Sequence, residues 1–369
     1  MKQARYSVWG LLVCAFWACT ERKENIPIRE TTDLQAIYSL SSLQILQKSL
    51  ELNPEDTETL YKLALWHNYH KEYKKAETYL QEALKIREDW RFYLLEAQVQ
   101  YALNLPRQSY DTWRKAYRLA PQHLPVLLFG LQWAVEQKDL LKTENLLKET
   151  EKFFPKDPQF FLWKAKWAVE QSDTTHALQL FEQCLAQDAT FAEAYKHISF
   201  LNNKTQNPEK ALFWANKGLA VKPFYDSLLL EKAIAYEQLK KTDSANKYFL
   251  KAYQLNRNLY QASYFLGIER WKSGNYTEAL NFFENTYRLK PNLPKLAYYL
   301  ANCYEKTQRY PQALEFYEKA IRQEPENSLA AQDLYFLKQK LELERQKKIA
   351  DSLQKLQFET FKKATETNP

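Results

Sequence analysis

Glycine is scarce in this chain of 369 residues, which contains only five. A sheet-rich fold needs many tight turns, and glycine is the residue that such turns accommodate most readily. The shortage therefore disfavours β-structure and favours an all-helical chain. It also excludes a glycine-rich phosphate-binding loop, because neither GxGxxG nor GxxxxGK[ST] occurs.

Catalytic and metal-binding signatures are absent as well. The sequence has no HExxH and no GxSxG. His67 and His70 share a predicted helix, but no third metal ligand is predicted nearby, and His67 falls at a core position of the pattern described below. Carboxylates are mixed with basic residues along most of the length, as on a solvated helical surface. We therefore predict no enzymatic activity, no cofactor and no metal site.

Long runs of one charge are lacking too, although the formal net charge is +7. Lysine and arginine alternate with aspartate and glutamate, and this pattern predicts no nucleic-acid partner. Hydrophobic residues make up 45% of the chain, which excludes wholesale disorder. The chain is long enough for two or three domains or for one elongated array.

The first residues form a separate signal. Lys2 and Arg5 precede an apolar run over residues 6–18, and Cys19 follows. The run is shorter than the roughly 20 residues of a membrane-spanning helix, so residues 1–18 are predicted to be a signal peptide. Ala18 before Cys19 resembles a bacterial lipobox, which implies cleavage before Cys19 and lipidation of its sulfur. Polar residues 19–32 would then be a tether from the membrane.

The match to a lipobox is incomplete, because Phe16 and Trp17 stand where that motif has Leu and a small residue. An uncleaved short anchor and a conventionally cleaved signal are the alternatives. The two cysteines outside the N-terminal segment, Cys184 and Cys303, lie more than three units apart in the repeating pattern described below. They predict neither a disulfide nor a metal site and fit small buried hydrophobes.

A pattern with a period of 34 residues dominates the rest of the chain. Stepping by 33 once and then by 34 gives a column of small residues: Ala76, Ser109, Thr143, Ala177, Ala211, Ala245, Ala279 and Ala313. Two further small columns lie 7 residues after and 12 residues before it, and only Leu131 breaks them. A mostly large column runs between the first two, from Leu80 to Tyr317. Small residues let two helices approach while large ones fill the gap beside them, so each unit is a helical hairpin that needs its neighbours as a core.

This pattern resembles the tetratricopeptide repeat. Residues 294–327 carry the clearest copy, through Leu300, Ala301, Tyr304, Tyr310, Ala313, Tyr317, Ala320 and Pro325. Pentatricopeptide arrays, which bind RNA, have a similar period, but the spacing of Ala, aromatic, Ala and Pro favours the tetratricopeptide type. The resemblance implies an all-α, right-handed α-solenoid. It places a partial repeat at residues 33–56, eight repeats at 57–327, and a C-terminal helix and tail at 328–369.

The C-terminal segment is predicted to be one long helix from Ser328. Leu334, Leu337 and Leu341 form a stripe at helical spacing that would cover the last repeat. A second stripe near Ile349 and Leu353 would extend beyond it. That half is either the frayed end of a capping helix or a site that docks a partner or a second copy.

The resemblance also implies a ligand groove. In tetratricopeptide arrays the first helix of each repeat lines the inner face, so the corresponding positions here are candidates for partner contact. Each of these side chains could instead pack between helices. The candidates are Tyr61, Leu65, Tyr101, Phe129, Trp163, Lys196, Phe200, Tyr264, Trp271, Tyr298 and Asn302. The family's carboxylate clamp is not reproduced, because Phe200 follows Lys196 where Asn is expected.

Together these features predict a non-catalytic scaffold that binds protein or peptide partners of the cell envelope. It would be an outer-membrane lipoprotein anchored through Cys19, facing the periplasm or the cell surface. The alternative is a carbohydrate- or peptidoglycan-binding module, since 10 Trp and 25 Tyr could stack on sugars.

Overall fold

The computed structural model describes residues 40–326 and 328–366, and within these ranges every regular element is a helix. The helices are α1 (Leu40–Leu52), α2 (Thr57–Tyr69), α3 (Tyr73–Ile86), α4 (Trp90–Ala102), α5 (Pro106–Leu119), α6 (Leu124–Glu136), α7 (Leu140–Phe153), α8 (Pro158–Glu170), α9 (Thr174–Gln187), α10 (Ala192–Lys204), α11 (Pro208–Val221), α12 (Asp226–Gln238), α13 (Thr242–Leu255), α14 (Tyr260–Lys272), α15 (Tyr276–Leu289), α16 (Leu296–Lys306), α17 (Tyr310–Gln323) and α18 (Ser328–Glu366). The signal peptide, Cys19 and the tether lie outside the described residues.

The chain divides into two compact units, the first ending at Lys204 and the second beginning at Thr205. The first unit contains α1–α10, and the second contains α11–α18. In each unit consecutive helices pack as antiparallel hairpins, and each hairpin packs on the next. Each unit is therefore a stack of helical hairpins, and the predicted all-α solenoid architecture is confirmed.

The turn after each first helix adopts the same backbone conformation. A residue with left-handed φ ends the first helix at Lys71, Asn104, Lys138, Ser172, Gln206, Lys240, Gly274 and Gln308. In most of these turns the next N–H closes back on the helix, as when Glu72 donates to the carbonyl of His67 at 2.8 Å. This is the Schellman arrangement, which satisfies carbonyls that the helix end leaves free. Only Gly274 is a glycine, so seven turns place a side-chain-bearing residue in this region.

The small columns of the sequence lie at the helix contacts. All eight residues of the column from Ala76 to Ala313 are buried, and so are those of the two companion columns. Large side chains fill the space between them: Phe181, Phe249, Phe283 and Tyr317 are at most 1% exposed. Apolar clusters lie within each unit, and each takes residues from several successive helices. The 34-residue period of the sequence therefore arises because each hairpin shares its core with the next hairpin.

The one irregular position, Leu131, has a local cause. Gly130 precedes it, and a Cβ there would lie 2.3 Å from the Trp113 ring. The indole of Trp113 therefore occupies the space beside Gly130, where it donates a hydrogen bond to the carbonyl of Val126 at 2.8 Å. The small residue has moved by one place because the large residue of the preceding helix is a tryptophan.

The long helix α18 covers the end of the second unit, as predicted. Leu337 is 1% exposed and belongs to the apolar cluster of α14–α17, and Leu334 and Leu341 pack against that cluster. Beyond them the second stripe is in solvent, with Ile349 at 50% and Leu353 at 55% exposure. The first half of α18 is therefore the cap of the stack.

Two glycines of one hairpin allow a matched test of this packing. A Cβ at Gly267 would lie 2.6 Å from the Phe283 ring, whereas a Cβ at Gly274 meets nothing within 4 Å. We expect Gly267→Ala to lower the free energy of unfolding by about 2–3 kcal/mol through overpacking. Gly274→Ala should cost about 1 kcal/mol, because only the left-handed backbone disfavours the new side chain. Urea denaturation followed by circular dichroism measures both, and an equal or reversed order would contradict the packing described here.

Candidate functional site

The predicted groove residues divide into two groups by burial. Five are core residues with 2–5% of their surface exposed: Tyr61, Tyr101, Phe129, Trp163 and Tyr264. The other six are half-buried: Leu65, Lys196, Phe200, Trp271, Tyr298 and Asn302. Core residues offer little area to a partner, so the half-buried group defines the surface that a ligand could reach.

In the first unit the aromatic candidates fill the space between neighbouring first helices. The Tyr101 hydroxyl on α4 donates to the carboxylate of Glu136 on α6, which also accepts from the amide of Gln132 at 3.0 Å. Phe129 meets the Tyr101 ring edge-on, with ring centroids 6.1 Å apart. Burial, reinforced by Glu136, raises the pKa of Tyr101 well above its ordinary value of 10. These side chains hold one repeat against the next.

The last helices of the first unit carry an ionic cluster around Glu193. The ammonium of Lys166 lies 2.7 Å from this carboxylate and 4.0 Å from the centre of the Trp163 ring. His197 and Lys196 approach the same oxygen at 3.5 and 4.0 Å. Burial opposes ionisation of Glu193, but Lys166 and its other cationic neighbours overcome it and hold the pKa well below 4.5. Lys196 is therefore engaged with Glu193 inside the stack.

In the second unit three candidates lie on neighbouring first helices and take part in two separate hydrogen bonds. The indole N–H of Trp271 on α14 donates to Oδ1 of Asn302 on α16 at 2.8 Å. Tyr298, also on α16, donates its hydroxyl to Oδ2 of Asp333 on α18 at 3.0 Å. All four residues are half-buried. We call Trp271, Asn302, Tyr298 and Asp333 the inner row, because they run along the first helices and onto the cap.

Asp333 was not among the predicted site residues, although its position could have been found. It lies 35 residues after Tyr298, close to one repeat further along the chain. The repeat ends before α18, so the inner face was not expected to continue there. The cap thus contributes a carboxylate to the same surface.

Glu237 on α12 occupies one of the first-helix positions at which the resemblance implies ligand contact, and its carboxyl is strongly perturbed. Burial raises its pKa to about 7, with Glu269 adding to the rise and Lys272 opposing it. Its Oε2 is buried and accepts no hydrogen bond within the described structure. Lys272 instead pairs with Glu269 at 2.8 Å. The carboxyl is therefore held partly protonated near neutral pH.

The residues considered for metal or thiol chemistry have structural roles. His67 is 3% exposed and contacts Oε2 of Glu72 through Nδ1 at 2.8 Å, while His70 stacks on Trp66. In residues 40–326 and 328–366 no group of three or more His, Cys, Asp or Glu side chains could hold a metal ion. Cys184 and Cys303 are free and buried, and burial raises the pKa of each thiol to about 12. No helix in the part described is both long and apolar enough to cross a membrane.

Sequence models of the tetratricopeptide repeat match residues 57–89, 227–259 and 270–335. The chain therefore contains tetratricopeptide repeats, and the resemblance drawn from the sequence is confirmed. Proteins with this repeat are generally non-catalytic scaffolds for protein interactions. No curated protein sequence matches the chain.

Solved structures share the fold. Yeast Tom70 has a TM-score of 0.55 and 16% identity, over 80% of this chain and 61% of that one. The APC/C hetero-tetramer Cut9–Hcn1 has a TM-score of 0.57 and 13% identity, over 80% and 58%. PilF of Pseudomonas aeruginosa has a TM-score of 0.52 and 16% identity, over 61% and 97%. The chain spans about three fifths of the first two structures, and at these identities the likeness shows the fold alone.

The perturbed carboxyl of Glu237 predicts a pH dependence of stability. The folded chain holds its proton up to about pH 7, whereas an ordinary glutamate releases it near 4.5. The free energy of unfolding should therefore fall as pH rises from 4.5 to 7 and level off above. Replacing Glu237 by Gln removes this loss, so we expect the variant to be more stable than the native chain by about 2 kcal/mol at pH 8 and nearly equal at pH 4.

Urea denaturation at both pH values tests this prediction. Glu315→Gln on the exposed side of α17 is the matched control, because it removes a carboxylate without a buried environment. If the native chain and Glu237→Gln differ by the same amount at pH 4 and pH 8, burial does not hold the proton on Glu237.

Proposed function

We propose that this chain is a non-catalytic scaffold of the bacterial cell envelope that binds a protein or peptide partner along the inner row of its second unit. The observation that carries the proposal is the row itself. Trp271, Tyr298 and Asn302 lie on neighbouring first helices and remain partly exposed. One hydrogen bond joins Trp271 to Asn302, and another joins Tyr298 to Asp333 of the cap. Side chains fixed in this way lose little conformational freedom when a partner binds.

The chemistry of the row suits a peptide. Aromatic residues supply much of the binding energy at protein interfaces, and Trp271 and Tyr298 present their half-buried rings next to hydrogen-bonding groups. Ile234 on the preceding first helix α12 and Ile268 on α14 are also half-buried and extend the surface with apolar area. A stretch of apolar and aromatic side chains with amide and carboxylate partners favours an extended segment or a helix as the ligand.

The N-terminal sequence supports a place in the envelope. We propose that residues 1–18 are removed as a signal peptide, that Cys19 is lipidated, and that residues 19–32 tether the repeats to the outer membrane, on its periplasmic or external side. A lipid anchor of several acyl chains is sufficient for stable attachment. The partner would then be another protein of the envelope, held near the membrane by the scaffold.

Site-specific photo-crosslinking tests the inner row. A photoreactive amino acid at position 271 or 298 should give a discrete crosslinked partner in envelope preparations. The same group at position 281 is the control, because Asn281 is exposed on the second helix α15. Asn302→Ala should reduce the crosslink at 298, where Trp271 is retained, since it removes the acceptor that fixes the indole of Trp271. Equal products at 271 and 281, or none at either, would overturn the assignment of this surface. A glycan in place of a protein would support the carbohydrate-binding alternative.

Lipidation is tested separately from partner binding. We expect the mature chain to incorporate labelled fatty acid and to begin at Cys19 when its N-terminus is analysed by mass spectrometry. Cys19→Ser should abolish both the label and the membrane attachment, while Cys14→Ser should leave both intact. Label retained by Cys19→Ser, or a mature N-terminus elsewhere, would contradict the proposed anchor.

A further inference from the structure

The second helices α11 and α13 of the second unit expose lysines and large apolar side chains together. Phe213 is 53% exposed on α11, and Phe224, in the turn that follows, is 80% exposed. Leu250 and Leu255 on α13 are 38% and 47% exposed. We call this surface the basic outer face; its residues are Lys210, Phe213, Lys217, Phe224, Lys247, Leu250, Lys251 and Leu255, all exposed.

The repeat brings these residues to one side of the unit. Phe213 and Lys247 are 34 residues apart, as are Lys217 and Lys251, so each pair occupies the same place on successive second helices. The buried small columns of α11 and α13 lie on other sides of the same helices, at Ala211 and Ala245. The basic outer face is therefore separate from both the core and the inner row.

The character of this surface changes along the unit. Glu284 and Glu318 occupy the position of Leu250 in the next two second helices, and both are exposed. Asn281 and Glu315 occupy, in these two helices, the repeat position that Phe213 and Lys247 occupy in α11 and α13. The combination of lysines with exposed apolar residues is thus confined to the first two second helices. Solvation of a helix surface needs charge but does not need exposed phenylalanine, and apolar side chains grouped with lysines are typical of surfaces that contact membranes.

The lysines lie beside aromatic rings. The Lys217 ammonium is 4.5 Å from the centre of the Phe213 ring, and the Lys222 ammonium is 4.4 Å from that of Tyr225. Each stem covers apolar surface while the charge stays in water. Lys240 and Lys241 precede α13 and are exposed as well. The exposed carboxylates within these helices are Glu209 and Asp243, each in a first turn.

We propose that the basic outer face docks on an anionic lipid bilayer. Lysines are attracted to a negatively charged headgroup layer, and protruding phenylalanine and leucine side chains can enter the boundary between headgroups and acyl chains. The apolar side chains here stand out singly at 53% and 80% exposure among charges, which suits a fluid headgroup layer. This contact requires neither the inner row nor the lipid anchor. It would hold the second unit against the membrane through its second helices.

Vesicle sedimentation of the full-length chain tests the proposal. The vesicles contain phosphatidylcholine alone or phosphatidylcholine with phosphatidylglycerol. Binding to the neutral vesicles measures how much the apolar N-terminal residues contribute to membrane binding. We expect Lys217→Glu with Lys251→Glu to reduce partition onto the anionic vesicles by about tenfold and to leave binding to neutral ones unchanged. The matched control is Arg288→Glu with Arg322→Glu, which makes the same change in net charge on exposed positions of α15 and α17. Equal losses in both double variants would show that only net charge matters and would overturn the proposal.

A local probe makes the test independent of overall affinity. A fluorescent amino acid at position 224 should shift to the blue on anionic vesicles, whereas the same residue at position 336, where Phe336 is 57% exposed on α18, should not. No shift at 224, or a shift at both positions, would overturn the docking orientation. A shift at 224 with a soluble acidic peptide but not with vesicles would identify a protein partner for this face and would overturn the bilayer.

Discussion

The structure depends on one constraint: a helical hairpin of about 30 residues cannot bury its own apolar face. Each hairpin here has small residues on both helices and one large side chain between them, so its core is completed only by the next hairpin. Phe283 shows how close this packing is, since a single Cβ added at Gly267 would meet its ring at 2.6 Å. The ends of such a stack need a different cover. Leu337 of α18, at 1% exposure, supplies it for the second unit.

The same constraint explains why polar groups recur between repeats. When a side chain extends from one first helix to the next, any polar atom that it buries needs a hydrogen-bond partner there. Tyr101 meets Glu136, Trp271 meets Asn302, and Tyr298 meets Asp333, each pair separated by 31–35 residues. These hydrogen bonds join neighbouring repeats, as the apolar core does, and they fix side chains that can form a binding surface. Glu237 lacks such a partner at Oε2, and burial raises the pKa of its carboxyl to about 7.

Part of the candidate site followed from the repeat alone. Trp271, Tyr298 and Asn302 were identified by their place in the first helix, and they lie together on two adjacent helices. The same reasoning selected Tyr101, Phe129 and Trp163, which are buried. The two groups have the same period and the same position in the first helix, so the sequence pattern cannot distinguish exposed from buried candidates. The difference is whether the neighbouring first helix approaches closely enough to cover the ring. Asp333 was missed because its importance comes from a neighbour on another helix.

The amino-acid sequence by itself determined the helical hairpin, its period, the small and large columns, and the capping stripe of α18, because these follow from the local spacing of apolar and small residues. The proposed place in the envelope rests on the pattern of its first 19 residues. Only the tertiary structure decided which inner-face side chains are interior, which carboxyls are desolvated, and which lysine, phenylalanine and leucine side chains of α11 and α13 are exposed. Those properties depend on distances between residues about 34 positions apart, and such distances are set by how one hairpin packs on the next.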